Sequence, residues 1–504
     1  MTTQDASIAL SRRDLCAGLA GLSLLSLART ACAAEAAPRF APPLDFSWEA
    51  LTTRARALVG QPYVAEAAVP GADAIDFDAA GKLTYGPATP LTGRVRLLPV
   101  SRYAPVPVRL NIVEGGQARR LLSSKGLFAG GGEAAPAGFR VMTAQGDGDW
   151  LSFQGATYFR TAGGQNQYGI SARAVAVDTA LADSEEFPAF TEFWIEPVSD
   201  HALRIYALID GPSLTGAMRI ENSHGPEGVM QDVTTVFAMR RDIRRLGIAP
   251  ASSMFWYDQN APDRPQDWRP EIHDSDGLAI VGADGEHIWR PLRNPHDPRT
   301  NAFALANPRG FGLMQRDRRF ADYQDDGAFY DRRPNLWVEP VGDWGPGAVM
   351  LYEFPTGAET IDNVAAFWVG DTPARAGGYH EWRYRLHWTS RDPSSGMGAR
   401  LVDQWHGVGG IPGGTAREDT RKLVFDFEGD SLAGLDRSSG VEAVTNLPAA
   451  VVAAQTAYPV VGAARRWRVI LEIRPAVMTQ AEFRLFLRHK GAALTETVIA
   501  PWAG

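Results

Sequence analysis

Apolar and polar residues alternate in many short runs along this chain. In the clearest run, residues 423–427, two phenylalanines and a leucine alternate with valine and aspartate. A period of two is typical of a strand with one face in a core and one in solvent. Similar runs cover residues 106–113, 174–177, 204–208, 349–354, 364–369 and 384–388. The pattern therefore predicts an all-β protein in which polar turns separate the strands.

Two segments depart from this period and favour helix. Ser47 precedes a stretch that starts at Trp48, and serine is a preferred N-cap residue. Gly60 and Pro62 follow the stretch and end it. We expect a short helix there, and one or two helical turns at 240–246.

A stretch rich in Gly, Ser and Pro separates two sets of strand-like runs. It begins near residue 391, and at least five short strands follow it in roughly 100 residues, as in small sandwiches of immunoglobulin type. We therefore predict a large β domain at 45–392, a linker at 393–414 and a small β-sandwich at 415–504.

The first residues have the layout of a bacterial export signal. Arg12 and Arg13 stand just ahead of an apolar run, and an Ala-Cys-Ala cleavage signal covers residues 31–33. The run is too short to span a bilayer comfortably, which disfavours the alternative of a retained anchor. We predict a twin-arginine signal peptide at 1–33 and a leader at 34–44.

Cleavage after Ala33 would place the mature protein in the periplasm without an integral membrane segment. Both cysteines of the chain, Cys16 and Cys32, would leave with the signal. The mature protein would then contain no disulfide, although the periplasm permits disulfides. Its stability would depend on the size of its core.

Composition narrows the classes of partner. The formal net charge of −8 argues against nucleic acid, because nucleic-acid binding needs basic patches. The sequence has no Gly-rich phosphate loop, no His-Glu-x-x-His and no Gly-x-Ser-x-Gly. We predict no metal site and no cofactor. The remaining carboxylates, tyrosines, tryptophans and arginines suit glycoside chemistry, which needs one carboxylic acid and one carboxylate.

Two stretches carry acids at unusual density. Residues 270–277 contain Glu271, Asp274 and Asp276 and end on a glycine, and residues 359–363 contain Glu359 and Asp362. Carboxylates are costly to bury without a partner, so such density is unusual for strands. An Asx-rich turn is the simpler interpretation of the first stretch. The alternative is a pair of catalytic carboxylates, Asp274 and Asp362, on two loops over a β scaffold.

At these stretches the chain resembles the periplasmic glucan biosynthesis protein family OpgG/OpgD (MdoG/MdoD), and its signal peptide favours the D branch. The matching segments are residues 167–180, 185–196, 269–277, 288–294, 307–315, 330–337 and 359–368. The resemblance implies a large galactose-mutarotase-like β-sandwich followed by an immunoglobulin-like sandwich. It also implies action on β-1,2-linked glucan, the backbone of osmoregulated periplasmic glucans.

The family pattern also assigns roles to particular residues. It makes Asp362 of the Glu-Thr-x-Asp-Asn motif the general acid and Asp274 of the His-Asp-Ser motif the general base of an inverting endo-β-1,2-glucanase. Glu359 and Tyr330 fall at positions that line the site. Four more candidates for substrate binding come from two segments rich in polar and aromatic residues, 157–196 and 323–344, and from the acid-rich stretch at 270–277. They are His273, Trp344, Arg333 and Tyr168.

One segment departs from the family pattern. Residues 404–418 are short and Gly-rich where family members have a loop that shapes the site and the proton path to the base. Hydrolysis therefore has an alternative in inverting transglycosylation, including cyclisation. A protein that binds or scaffolds β-1,2-glucan without cutting it is a further alternative. A homodimer stays open as the state in solution.

Overall fold

We describe the fold from a computed structural model. It describes residues 39–84, 90–129, 132–183, 185–259, 261, 267–394, 398–411 and 413–502. The predicted signal peptide at 1–33, with Cys16 and Cys32, and the start of the predicted leader lie outside these residues. Within them, no helix has the length and apolar character needed to cross a membrane.

Helices are short in the described part of the chain. The α-helices are α1 (Trp48–Leu58), α2 (Phe77–Thr84) and α3 (Phe320–Tyr323), and 3-10 turns cover Ala72–Ala74, Tyr330–Arg332, Asp430–Leu432 and Pro475–Val477. The Ser47 side chain accepts a hydrogen bond from the Ala50 amide at 3.1 Å, which confirms the predicted N-cap. The predicted helix at 240–246 is wrong. Ile243 instead pairs with Ala374 in an isolated bridge, and a strand begins at Leu246.

Strands form the rest of the fold, and the all-β prediction is confirmed. The first sixteen are β1 (Arg39–Phe40), β2 (Leu44–Asp45), β3 (Val95–Pro99), β4 (Arg109–Glu114), β5 (Gln117–Ser123), β6 (Pro136–Met142), β7 (Asp149–Gln154), β8 (Tyr158–Thr161), β9 (Ser171–Arg173), β10 (Val175–Val177), β11 (Ala189–Ser199), β12 (Ala202–Asp210), β13 (Leu214–Gly225), β14 (Gly228–Met239), β15 (Leu246–Ser253) and β16 (Phe255–Tyr257). The next nine are β17 (Ile272–His273), β18 (Gly277–Val281), β19 (His287–Pro291), β20 (Arg299–Ala306), β21 (Gly310–Met314), β22 (Asn335–Pro340), β23 (Pro346–Glu353), β24 (Val364–Gly370) and β25 (Tyr379–Thr389). The last eight are β26 (Arg400–Gly410), β27 (Ala416–Glu428), β28 (Glu442–Thr445), β29 (Val452–Pro459), β30 (Arg466–Ile473), β31 (Glu482–His489), β32 (Ala492–Ala493) and β33 (Thr497–Pro501).

Two large sheets pack face to face. Pairing runs through the first sheet in the order β5-β4-β11-β12-β13-β14-β25-β22-β21-β18-β19-β33-β31-β28. The second sheet has the order β20-β23-β24-β15-β9-β8-β7-β6-β3. The main core cluster draws buried side chains from both sheets, including Phe153 and Trp368 of the second and Phe193 and Trp388 of the first. This arrangement is a β-sandwich.

The segment that was predicted as a leader is partly structured. Strands β1 and β2 both pair with β5, so residues 39–45 already belong to the fold. The sequence hid this because each strand has only two residues, too few to show an alternation.

The C-terminal strands extend the large sheet as well as forming their own. A third sheet has the order β26-β27-β30-β29, and β33 pairs in parallel with β19 of the large sheet. A second core cluster joins Trp289 and Trp337 of the large sheet to Phe425 and Trp467 of the third sheet. The range 393–414, predicted as a linker, therefore contains strand β26. The division into domains at 45–392 and 415–504 stays a prediction.

Candidate active site

Asp362 lies two residues before β24, on an exposed surface that is called the cleft below. Its side chain is exposed, although protein surrounds it on most sides. Its Oδ2 accepts a hydrogen bond from the Ser171 hydroxyl of β9 at a long 3.4 Å. The neighbouring side chain Asn363 is fully buried, so the loop turns Asp362 outward and anchors itself through the next residue.

The surroundings of Asp362 favour its protonated form. Desolvation by the surrounding protein and then the negative charge of Asp274 raise the pKa of Asp362 to about 6. The Ser171 hydrogen bond and the positive charges of Arg160 and Arg173 act in the opposite direction. As a result, this carboxyl stays protonated up to pH values well above the ordinary pKa range of aspartate.

Asp274 lies directly after β17 and is buried, with 4 % of its surface exposed. Its Oδ1 pairs with a guanidinium nitrogen of Arg333. The Arg333 guanidinium also lies over the Tyr330 ring, 4.0 Å from the ring centroid. The salt bridge and the ring fix Arg333, and Arg333 in turn fixes one oxygen of Asp274.

A short hairpin ties the two aspartates to one scaffold. Strand β16 pairs with β17, and the Asp274 amide donates to the Met254 carbonyl at 2.8 Å just ahead of β16. On the other side, the Asn363 side chain accepts from the Phe255 amide at 2.8 Å and donates to the Phe354 carbonyl at 2.9 Å. Asp274 thus binds beside this strand pair through its own amide, and Asp362 is one residue away from Asn363, which binds the same strand pair.

Glu359 and Tyr330 meet beside this pair. The Tyr330 hydroxyl donates to Glu359 Oε2 at 2.6 Å, and Arg269 donates to the same oxygen at 2.8 Å. Arg269 also binds Asp325 at 2.8 Å. Tyr330 is buried and the Glu359 side chain is 36 % exposed, so Glu359 is the member of this network that solvent and a ligand can reach.

Tyr168 lies on the Ser171 side of the site. The Arg160 guanidinium lies over its ring, 4.5 Å from the centroid, and its hydroxyl donates to the Asp149 carbonyl at 3.1 Å. The positive charge of Arg160 also acts on Asp362. Tyr168 therefore positions a cation of the site and is itself half-buried.

Two predicted substrate-binding residues do not face the cleft. His273 has no exposed surface, and its ring stacks on Phe255 with 5.4 Å between the centroids. Trp344 is 5 % exposed and packs among Trp368, Trp382 and Tyr384 in the main core. Neither side chain reaches solvent at the site. The sequence could not show this, because sequence alone does not reveal which face of a strand or turn an aromatic residue occupies.

Several residues that sequence reasoning missed contact or influence the site. They are Ser171, Arg160, Arg173 and Arg269. Ser171 is 191 positions away from Asp362 in the chain, so no local motif joins them. Residues 167–180 and 269–277 were among the segments that match the family, which was the available signal for Ser171, Arg173 and Arg269.

A second group of titratable residues lies behind Asp274. Burial lowers the pKa of His273, but its hydrogen bond to Glu271 and the charge of that group outweigh this and raise the pKa to about 9. Burial and the charge of Asp276 raise the pKa of Asp317. A cavity of about 890 Å³ opens next to Asp276 and Asp317, between the large sheet and the third sheet. Neither Asp274 nor Asp362 is among its described lining residues.

Comparison with known proteins shows the family of the chain. The family model described as periplasmic glucan biosynthesis protein, MdoG, matches residues 46–502, which is most of the chain. The chain belongs to the periplasmic glucan biosynthesis protein MdoG family. This confirms the resemblance to the OpgG/OpgD proteins and supports a role in periplasmic glucan biosynthesis.

Curated relatives of the MdoG family match over nearly the whole chain. Glucans biosynthesis protein D 2 of Ralstonia nicotianae is 41 % identical over 484 residues, 90 % of each chain. Glucans biosynthesis protein D of Xanthomonas campestris pv. campestris is 38 % identical over 517 residues, 97 % of each chain. A probable glucans biosynthesis protein D of Shewanella oneidensis is 41 % identical over 425 residues, 81 % of this chain and 78 % of the relative. The MdoG family is periplasmic, in agreement with the predicted export.

Proposed function

We propose that the protein is an enzyme of periplasmic glucan biosynthesis, an endo-β-1,2-glucanase. It would hydrolyse internal linkages of β-1,2-glucan with inversion at the anomeric carbon. The observation that carries this proposal is Asp362. It is an exposed carboxyl with a pKa of about 6 that shares its site with the charge of a second carboxylate, Asp274. Glycoside hydrolysis needs one carboxyl that holds a proton and one that does not.

Asp362 is assigned the role of general acid. A proton on its carboxyl can pass to the glycosidic oxygen as the bond to the leaving sugar breaks. The exposure of Asp362 lets a glucan chain approach, and the long 3.4 Å contact with Ser171 leaves the carboxyl free to turn toward the substrate. The charge of Asp274 supports this role because it disfavours a second negative charge nearby.

Asp274 is assigned the role of general base. Its burial keeps it away from the anomeric carbon, which disfavours a direct nucleophilic attack. Inverting pairs leave room for a water molecule between carboxylate and sugar, with the carboxyls roughly 6.5–9.5 Å apart. A buried base reaches that water through an intervening hydroxyl or water, so we propose that the proton travels to Asp274 by a relay.

The segment that suggested transglycosylation belongs to the third sheet. Residues 404–418 fall mostly within β26, β27 and the turn between them, in the third sheet. Among the described residues, no hydrogen bond or ion pair joins this hairpin to Asp274 or Asp362. We keep hydrolysis as the proposed reaction, with transfer to a sugar hydroxyl as the alternative that product analysis tests.

The export route forms part of the proposal. The twin-arginine pair and the cleavage signal predict a mature chain that starts near Ala34. Intact-mass measurement on protein taken from the periplasm tests this. A mass that includes residues 1–33 would contradict it.

Product length separates the enzyme from a binding protein. Purified protein is incubated with linear β-1,2-glucan, and the glucan is followed by thin-layer chromatography. Progressive shortening is the expected result. Tight binding with unchanged glucan length would show a scaffold, and longer or cyclic products would show a transglycosylase.

A further inference from the structure

Three metal-ligating side chains converge behind the cleft, outside the proposed catalytic pair. They are Glu271, His273 and Asp317, and one ligand atom of each lies within 4.8 Å of the others. Glu271 and His273 are almost completely buried, at 1 % and 0 % exposure. A histidine and two carboxylates in such a position need a partner of opposite charge.

Hydrogen bonds around Gln315 fix the tautomer of His273. The amide nitrogen of Gln315 faces two carbonyl oxygens, those of His273 at 3.0 Å and Tyr330 at 3.4 Å, so it must be the donor end. The other end, Oε1, is then an acceptor and faces His273 Nδ1 at 2.9 Å. Nδ1 therefore carries a hydrogen, and Nε2 is the nitrogen that remains for another partner.

His273 Nε2 points at Glu271. The distance from Nε2 to Glu271 Oε2 is 2.8 Å. Without an ion, a proton on Nε2 makes this contact a hydrogen bond, and a bound cation would take the place of that proton. A histidine that donates one ring N–H to an oxygen and offers the other nitrogen has the orientation of a metal ligand.

The third ligand, Asp317, faces the cavity between the large sheet and the third sheet. Among the described residues, no hydrogen bond or ion pair reaches its carboxylate. Its backbone is held instead: Asp276 accepts the amides of Arg316 at 2.8 Å and of Asp317 at 3.2 Å. Asp276 and Asp317 both line the cavity of about 890 Å³, which provides a path for an ion and space for water ligands.

We propose that Glu271, His273 and Asp317 form a binding site for a divalent transition-metal cation. One imidazole nitrogen and two carboxylate oxygens suit zinc or manganese, whereas calcium and magnesium prefer oxygen ligands alone. The ion would join β17 to the segment that follows β21, one residue from Asp274. It would brace the strand that carries the proposed base, and the site does not depend on the glucan reaction.

The first test is direct binding to the mature chain without a histidine tag. The protein is stripped with a chelator, dialysed and titrated calorimetrically with zinc chloride and with manganese chloride. We expect saturable binding of one ion per chain for at least one of the two, and a higher Tm in its presence. Absence of saturable binding for both ions would overturn the proposal.

Substitutions then locate the ion. Asp317 is partly exposed and asparagine is nearly isosteric with aspartate, so Asp317→Asn should preserve the fold. We expect this variant to lower the affinity for the ion at least tenfold, on the order of the losses that follow changes around metal ligands. Asp403→Asn, in the same cavity but outside the cluster, is the matched control and should bind as the wild type does. An ion bound equally well by Asp317→Asn would overturn the site.

A second variant and a spectroscopic readout guard against misfolding. His273→Gln removes the only nitrogen ligand of the set, and circular dichroism checks its fold. In the wild type, electron paramagnetic resonance of bound manganese should show a broadened signal that free manganese lacks. If the titration shows manganese binding, a free-ion spectrum in the wild type at saturating protein would contradict the proposal.

Discussion

The cleft around Asp362 and the cavity behind Asp276 differ in how their charges are paired. In the cavity, Arg316 binds Glu496 at 2.7 Å and Arg466 binds Asp403 at 3.1 Å. In the cleft, the closest described partner of Asp362 is a neutral hydroxyl at 3.4 Å. Asp317 of the cavity also lacks a described ion-pair partner, but Asp362 is the more exposed of the two and is the one that a glucan chain can reach.

The contrast shows that the cavity of about 890 Å³ and the candidate general acid lie at different places in this molecule. An arginine that neutralises a carboxylate removes the reason for that carboxylate to hold a proton. No arginine of the described residues forms an ion pair with Asp362, and the charge of Asp274 raises its pKa against the weaker opposing effect of Arg160 and Arg173. The following predictions test whether activity depends on the cleft and not on the cavity.

The largest effect is expected from Asp362→Asn. Loss of a general acid typically lowers the rate on the order of 10²–10⁴-fold, and we expect kcat on linear β-1,2-glucan to fall by that range. Asp371→Asn is the matched control, because Asp371 is an exposed aspartate at the other end of the same strand, β24. Near-normal turnover of Asp362→Asn would reject the acid, whereas loss in Asp371→Asn would point to the strand.

Trp344→Ala separates the core from the cleft. Trp344 is packed among three other aromatic rings, and truncation of a buried aromatic side chain costs about 3–5 kcal/mol of unfolding free energy. Trp268, which is 68 % exposed, is the control, and Trp268→Ala should change stability by no more than about 0.5 kcal/mol. Denaturant unfolding measures both. A stable Trp344→Ala protein that fails to bind glucan would return Trp344 to the substrate site.

The pH dependence of turnover tests the proton on Asp362. A general acid works in its protonated form, and the protonated fraction falls about tenfold per pH unit above the pKa. With a pKa of about 6, the rate should decline along the alkaline side, roughly 100-fold between pH 7 and pH 9. Initial rates measure this, with circular dichroism to show that the fold persists. A rate that rises from pH 6 to pH 8 would contradict the assignment.

The smallest effect concerns the interaction between the two aspartates. Asp274→Asn removes a negative charge that raises the pKa of Asp362, so that pKa should fall from about 6 toward the ordinary aspartate range. Carbon NMR of labelled aspartate measures the titration, and Asp371→Asn again serves as the control. An unchanged pKa in Asp274→Asn would mean that the two groups are not electrostatically coupled.

Local sequence patterns predicted much of the fold. The alternation at 423–427 reappears as part of β27, with Phe425 and Phe427 in the core, and the Ser47 cap reappears at the start of α1. The pattern failed where tertiary contacts decide. Strand β26 was hidden because it is Gly-rich and largely exposed, and residues 240–246 are held by a bridge to Ala374, a distant part of the chain.

The candidate site divides in the same way. The acidic motifs brought Asp274 and Asp362 to attention, and the structure ties both to the hairpin of β16 and β17. Ser171 could not be found, since its contact with Asp362 spans 191 positions. His273, a predicted substrate-binding residue, is fully buried, which the motif could not show because a motif does not reveal which of its members face inward.

The stereochemistry of the first product tests the central claim most directly. Linear β-1,2-glucan is mixed with the protein, and proton NMR follows the anomeric signal of newly formed reducing ends before mutarotation. Inversion of the β linkage predicts that the α-anomer appears first, together with shorter chains. First appearance of the β-anomer, or unchanged glucan after long incubation, would contradict an inverting reaction by Asp362 and Asp274.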